Sequence, residues 1–109
     1  MPYPLTVQEV MKALFAGPGS LAPETRLAIA KRATETSGGT LAGGEAPEAL
    51  HAFIEKVTRE SHRITDEDLA QLQAAGYTED QVYEATVAAA FGAGLALFER
   101  GLRAVGEPQ

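Results

Sequence analysis

Two histidines and no cysteine limit the covalent and acid–base chemistry open to this chain. Without a thiol its own residues offer no disulfide, no thiolate metal site and no thiol redox step. His62 lies close to Glu60 and beside Arg63, at what reads as a helix junction. An imidazole, with an unperturbed pKa of roughly 6.5, can act as a general base when a second group orients it. The plainer reading is a ring that hydrogen-bonds a helix end and fixes the junction. His51 and Glu55 stand four residues apart, with Glu48 a turn earlier, so on a helix they share a face. Such a set can offer two or three ligands to zinc or another divalent ion. It has no H-E-x-x-H-type motif and no clear third ligand, and reads instead as an ion-pair face. Ser20, Ser37 and Ser61 are the only serines, and none lies in a G-x-S-x-G elbow or an S-x-x-K motif. Asp66-Glu67-Asp68 reads as dipole partners and cap of a helix start, not as paired acid–base carboxylates. Tyr3, Tyr77 and Tyr83 read as packing residues that can also bind a ligand. No catalytic residue, cofactor or metal is assigned on these signals.

The elements that must position these groups are helices. Hydrophobic residues make up 45% of the 109, aromatics only 6%, and alanine and leucine dominate, which suits close-packed helices better than a sheet. The length fits one domain over residues 1–109, burying roughly two-thirds of the surface its unfolded chain would expose. A net charge of −6 disfavours non-specific attraction to nucleic acid or to anionic membrane surfaces. The opening MPYPLTVQEV has neither a basic region nor an apolar core of the secretory kind. The expectation is a cytoplasmic protein with no nucleic-acid and no membrane partner.

Prolines at positions 2 and 4 predict an extended arm over residues 1–5. Thr6-Val7-Gln8-Glu9 is a capping box that starts a first helix, Val7–Ala16, closed by Gly17. Pro23 suits a first helical position, so a second helix runs over Pro23–Thr36 and stops at Ser37-Gly38-Gly39. Its apolar stripe of Leu27, Ala30 and Ala33, with Ile29 beside it, is modest and predicts partial burial. A glycine-rich loop follows over residues 37–46. No strand precedes it, no lysine follows the glycines, and Glu45 and Glu48 would repel an anion, so it does not read as a phosphate loop. Pro47 restarts a helix that runs to Glu60, with Leu50, Phe53, Ile54 and Val57 on one face. Thr65 caps the next helix, with Asp68 in the capping-box place, and Ala75-Gly76 ends it.

Thr78-Glu79-Asp80-Gln81 then opens a long last helix, Thr78–Val105, with Tyr77 placed to staple onto Val82. From Val87 to Phe98 it reads VAAAFGAGLALF, with no polar side chain on any face. A helix apolar all round is normally buried all round, and twelve residues fall short of the roughly 20 that span a bilayer. This helix is therefore expected at the centre of the fold, covered by other helices of the chain or by a second subunit.

Residues 49–98 resemble the C-terminal half of the carboxymuconolactone decarboxylase and alkylhydroperoxidase D-like superfamily. The resemblance rests on Phe53-Ile54-Glu55-Lys56-Val57-Thr58-Arg59, on His62 before Ile64-Thr65-Asp66-Glu67-Asp68, and on Leu72 through Ala75-Gly76-Tyr77-Thr78-Glu79-Asp80-Gln81, followed by the alanine-rich helix. It implies an all-α, five-helix domain with the long C-terminal helix central, and assembly as a dimer, trimer or hexamer. Peroxidase members carry a Cys-x-x-Cys helix with a following histidine and a preceding glutamate. The corresponding stretch here, Arg32–Ala46, has no cysteine or histidine, so no catalytic residue carries over.

Gly92 and Gly94 let helices approach closely, at a cost of about 1 kcal/mol each against alanine that a close contact offsets. Four short helices give limited cover, so a subunit interface at Phe91, Gly92, Gly94 and Leu95 is expected. Two functions remain. One is a homo-oligomeric binding or structural module without the thiol site. The other is a non-redox, decarboxylase-like enzyme acting on a small organic acid or lactone with His62 or His51, a carboxylate such as Glu55, and an arginine drawn from Arg59, Arg63 or Arg100. A pocket uniting a histidine, a carboxylate and an arginine would separate the second from the first.

Overall fold

The computed structural model describes Gln8, Glu9, Met11, Lys12 and residues 19–106, the last four by backbone alone. The described residues are all-helical, with four α-helices and no strand: α1 (Pro23–Thr36), α2 (His51–Glu60), α3 (Asp66–Ala74) and α4 (Glu79–Gly106). Five helices were expected. The first of them, Val7–Ala16, falls largely outside the described residues, where only Gln8, Glu9, Met11 and Lys12 are seen, with helical backbone. The arm over residues 1–5 also lies outside. Short 3-10 turns at Glu48–Leu50 and Ser61–Arg63 bracket α2.

The helix ends follow from local chemistry. At α3 the Thr65 hydroxyl accepts the Asp68 N–H while the Asp68 carboxylate accepts the Thr65 N–H at 2.9 Å, a reciprocal box. Thr78 and Gln81 repeat it at α4, at 2.9 and 3.1 Å. Gly76 ends α3 at φ +106°, and its neighbours close two bonds, Tyr77 N–H to Leu72 O and Gly76 N–H to Gln73 O. That left-handed closure is easy for glycine and strained for residues with a Cβ. Gly38, at φ +91°, ends α1 in the same way.

The start of α1 is held from a distance. Ala22 has no side chain that can cap. Instead the Glu84 carboxylate, on α4, accepts the Ser20 N–H at 2.7 Å and the Leu21 N–H at 2.8 Å. Partial burial pushes the Glu84 pKa up, but the two backbone donors and nearby Arg26 outweigh it and hold the carboxyl below its ordinary value.

The core joins Ile29 and Ala33 of α1, Leu50 just before α2, Phe53, Ile54 and Val57 of α2, Leu72 of α3, and Val82, Ala85, Ala88 and Ala89 of α4. Tyr77 packs on the edge of this cluster, which includes Val82. Fully burying one such aliphatic side chain contributes about 1.5–3 kcal/mol. The partial burial expected for α1 is corrected here. Arg26, Ala28, Ile29, Ala30, Ala33 and Thr34 are all buried, and α1 is the principal partner of α4. Its stripe looked weak because it is built of alanines, which bury little area each but bring backbones together.

Of the two covers expected for the last helix, the chain's own described helices supply one on a single side only. α4 buries Val82, Ala85, Ala88, Ala89, Gly92, Leu95 and Ala96, whereas Tyr83, Ala90, Gly94 and Leu97 on the opposite side are exposed. By length and composition Glu79–Leu102 is also long and apolar enough to cross a membrane, beyond the twelve residues with no polar side chain. Core helices of soluble proteins meet the same two criteria.

Candidate functional site

The histidines and their neighbours are not brought together as a site. On His51, Nε2 lies 2.9 Å from the Ala46 carbonyl oxygen. A carbonyl only accepts, so Nε2 carries the proton and is spent holding the end of the glycine-rich loop against the start of α2. Glu55, one turn on, takes Arg32 Nη2 of α1 at 2.9 Å, a partly exposed pair worth at most about 1 kcal/mol. His62 sits on the Ser61–Arg63 turn, exposed, and its ring makes no hydrogen bond among the described residues. It does not fix the junction as expected. The Ile64 N–H to Ser61 O bond and the Thr65–Asp68 box do that. Arg63 pairs with Glu60 at 3.5 Å across solvent. Among the described residues no group of three or more histidines and carboxylates could hold a metal ion.

A cavity of about 330 Å³ opens between α2 and α3. Phe53 and Leu72 form apolar parts of its lining, with Ala52 and Ala75 beside them and Lys56 and Asp68 as its charged groups. Lys56 Nζ lies 2.8 Å from Asp68 Oδ2, the oxygen that also takes the Thr65 N–H. The Lys56 bond, then the Thr65 N–H, hold the Asp68 carboxyl below its ordinary pKa. Asp68 is therefore ionised at neutral pH and cannot donate a proton as a general acid, and its Oδ2 is already engaged by Lys56 and Thr65. Neither histidine lines this cavity.

The remaining feature is the outward side of α4. Tyr83, Leu97 and Leu102 are 70%, 61% and 41% exposed and are the large hydrophobic side chains left open among the described residues. All three belong to this helix. Beside them Phe91, Gly94, Leu95 and Phe98 line an open apolar groove of about 220 Å³.

The four residues expected at an interface divide between the two sides of α4. Gly92 faces inward: a Cβ there would stand 2.3 Å from the Ala30 carbonyl oxygen, and the Thr34 hydroxyl donates to the Gly92 carbonyl at 2.8 Å. Leu95 is 3% exposed. These two serve packing within the chain. Gly94 is exposed, with nothing within 4 Å of the place its Cβ would take, and Phe91 is half-buried at the groove. Tyr83, read in the sequence as a packing residue that can also bind a ligand, is not packed, and Leu97 and Leu102 went unnamed there. The signal that marks Tyr83 and Leu97 was the 4-3-4-3-4 spacing of Tyr83, Val87, Ala90, Gly94, Leu97 and Gly101.

Compared with known protein families, with curated proteins and with solved structures, the chain finds no match in any of the three.

Proposed function

We propose that the chain is a homo-oligomeric helical module, a binding or structural protein, whose assembly surface is the outward side of α4. The observation that carries this reading is the confinement of the exposed large hydrophobics Tyr83, Leu97 and Leu102 to one helix. Scattered apolar residues are normal on a surface, but Tyr83 and Leu97 share one face of α4 with Val87, Ala90 and Gly94, and an uncharged apolar face of that length marks a contact site. A second copy covers such a strip without leaving a buried charge, because no charged side chain interrupts Val87–Phe98. The partnered or exposed state of His51, Glu55, Lys56, Asp68 and His62 supports a module over an enzyme. The resemblance of residues 49–98 to the alkylhydroperoxidase D-like superfamily belongs to this proposal too, supported by the capped α2–α3–α4 succession. Within it the chain is a member without the thiol site.

Leu97→Glu tests the reading, because it places a carboxylate on the strip without touching the core. Sedimentation velocity should show a smaller species than the native chain, with circular dichroism unchanged. Gly94→Leu should also lower the mass by blocking close approach. Unchanged sedimentation in both variants would remove this side of α4 from assembly.

A further inference from the structure

Resting on that reading, the residues on the outward side of α4 go further and specify how two copies meet. Tyr83, Val87, Ala90, Gly94, Leu97 and Gly101 follow one another at spacings of 4, 3, 4, 3 and 4. This is the a/d pattern of a helix seam that packs on another helix. Five of the six are exposed and Val87 is half-buried, and they lie opposite the Ala85–Gly92–Ala96 side that packs within the chain. We infer that α4 pairs with α4 of a second copy in antiparallel orientation about a two-fold axis, with Val87 of each copy against Leu97 of the other.

The spacing is its own reverse, so an antiparallel copy meets every seam position with a seam position. In that register Tyr83 lies over Gly101 of the other copy, Val87 against Leu97, and Ala90 against Gly94. The largest side chain meets a glycine, two middle-sized ones meet each other, and the small pair Ala90 and Gly94 lies nearest the axis, where the helices come closest. Close-packed contacts need this matching of large to small. Each contact also occurs twice, as a two-fold interface requires.

A parallel pairing fails on the same residues. It sets Tyr83 against Tyr83 at one end and glycine against glycine at positions 94 and 101, so the bulkiest pair holds apart two helices whose glycines pack only on close approach. It also places Glu79 and Asp80 of both copies side by side, where like charges repel. The antiparallel pair puts these acids at opposite ends and opposes the helix dipoles.

The absence of cysteine makes the test clean, since any introduced thiol is the only one. Val87→Cys and Leu97→Cys are prepared separately, checked for native helix content, and oxidised alone and as an equal mixture. In the antiparallel register the two Val87 positions of a pair are about 15 Å apart along the axis, at about 1.5 Å per residue. That is too far for a disulfide, whose Cα atoms lie within about 7 Å. The expected result is a band at twice the 11.5 kDa chain mass in the mixture and none in either variant alone. Cross-linking of each variant with itself would overturn the inference in favour of a parallel pair. A native oligomer that cross-links in no combination would overturn it too, while leaving self-association standing. A native chain that sediments as a monomer when free would overturn both readings, and co-sedimentation of that monomer with phosphatidylcholine vesicles would assign the outward side of α4 to a lipid surface instead.

Discussion

The two sides of α4 are made of nearly the same residues and meet opposite fates. Inward, Ala85, Ala88, Ala89, Gly92 and Ala96 lie buried, with Gly92 so close to Ala30 that the Thr34 hydroxyl bonds its carbonyl across the contact. Outward, Ala90, Gly94 and Gly101 are just as small and lie open to solvent between Tyr83 and Leu97. Small residues thus do not by themselves say which side of a helix is occupied. What separates the sides is whether another backbone stands within reach, and α1 supplies one on one side only.

The largest expected effect that tests this difference is at Gly92. Gly92→Ala sets a Cβ against the Ala30 carbonyl and must push α1 and α4 apart, with a loss of about 3 kcal/mol in denaturant unfolding. An unchanged midpoint would erase the distinction between the two sides. Next comes Leu97→Glu, which leaves folding stability nearly intact but weakens self-association about 100-fold, the equivalent of about 2.7 kcal/mol spent on desolvating two carboxylates. The dissociation constant from sedimentation equilibrium reads this directly.

A smaller effect should appear at Glu84, which ties α4 to the start of α1. Its folded pKa is below the ordinary value of 4.5, so its stabilisation is fully present above that value and is lost as pH falls through the depressed folded pKa. Glu84→Gln should lower stability by about 1 kcal/mol at neutral pH and flatten the acid limb of the stability profile below pH 4.5. An acid limb that matches the native one would show that the carboxylate bonds to Ser20 and Leu21 contribute nothing. The smallest effect is a gain. In the Leu97→Glu background, where assembly is removed, Gly94→Ala should raise stability by up to about 1 kcal/mol, because alanine is the better helix former and the site is open. A loss there would mean that Gly94, like Gly92, faces a neighbour within the chain.

The parts of the fold legible in the sequence were those set by residues close to one another along the chain. Thr65 with Asp68, Thr78 with Gln81, Pro23, Gly38 and Gly76 define helix ends within a few residues of themselves, and the helix bounds they imply match the structure closely. What the sequence hid lies between distant residues. Glu84 caps a turn 63 residues upstream, which no local pattern announces. The burial of α1 was underestimated because its contact is made by alanines, whose weight lies in proximity and not in hydrophobic area. The candidate site was less legible still. His51 and Glu55 share a face as their spacing requires, but their partners, Ala46 and Arg32, come from elsewhere in the fold and turn a possible ligand pair into two structural anchors.

The most direct test of the central claim, that the outward side of α4 is an assembly surface, is the native molar mass by light scattering over a dilution series. The account predicts a mass above the 11.5 kDa of one chain at high concentration, falling towards it on dilution and doing so at far higher concentration for Leu97→Glu. A mass fixed at one chain throughout the series, for the native protein and the variant alike, would contradict it.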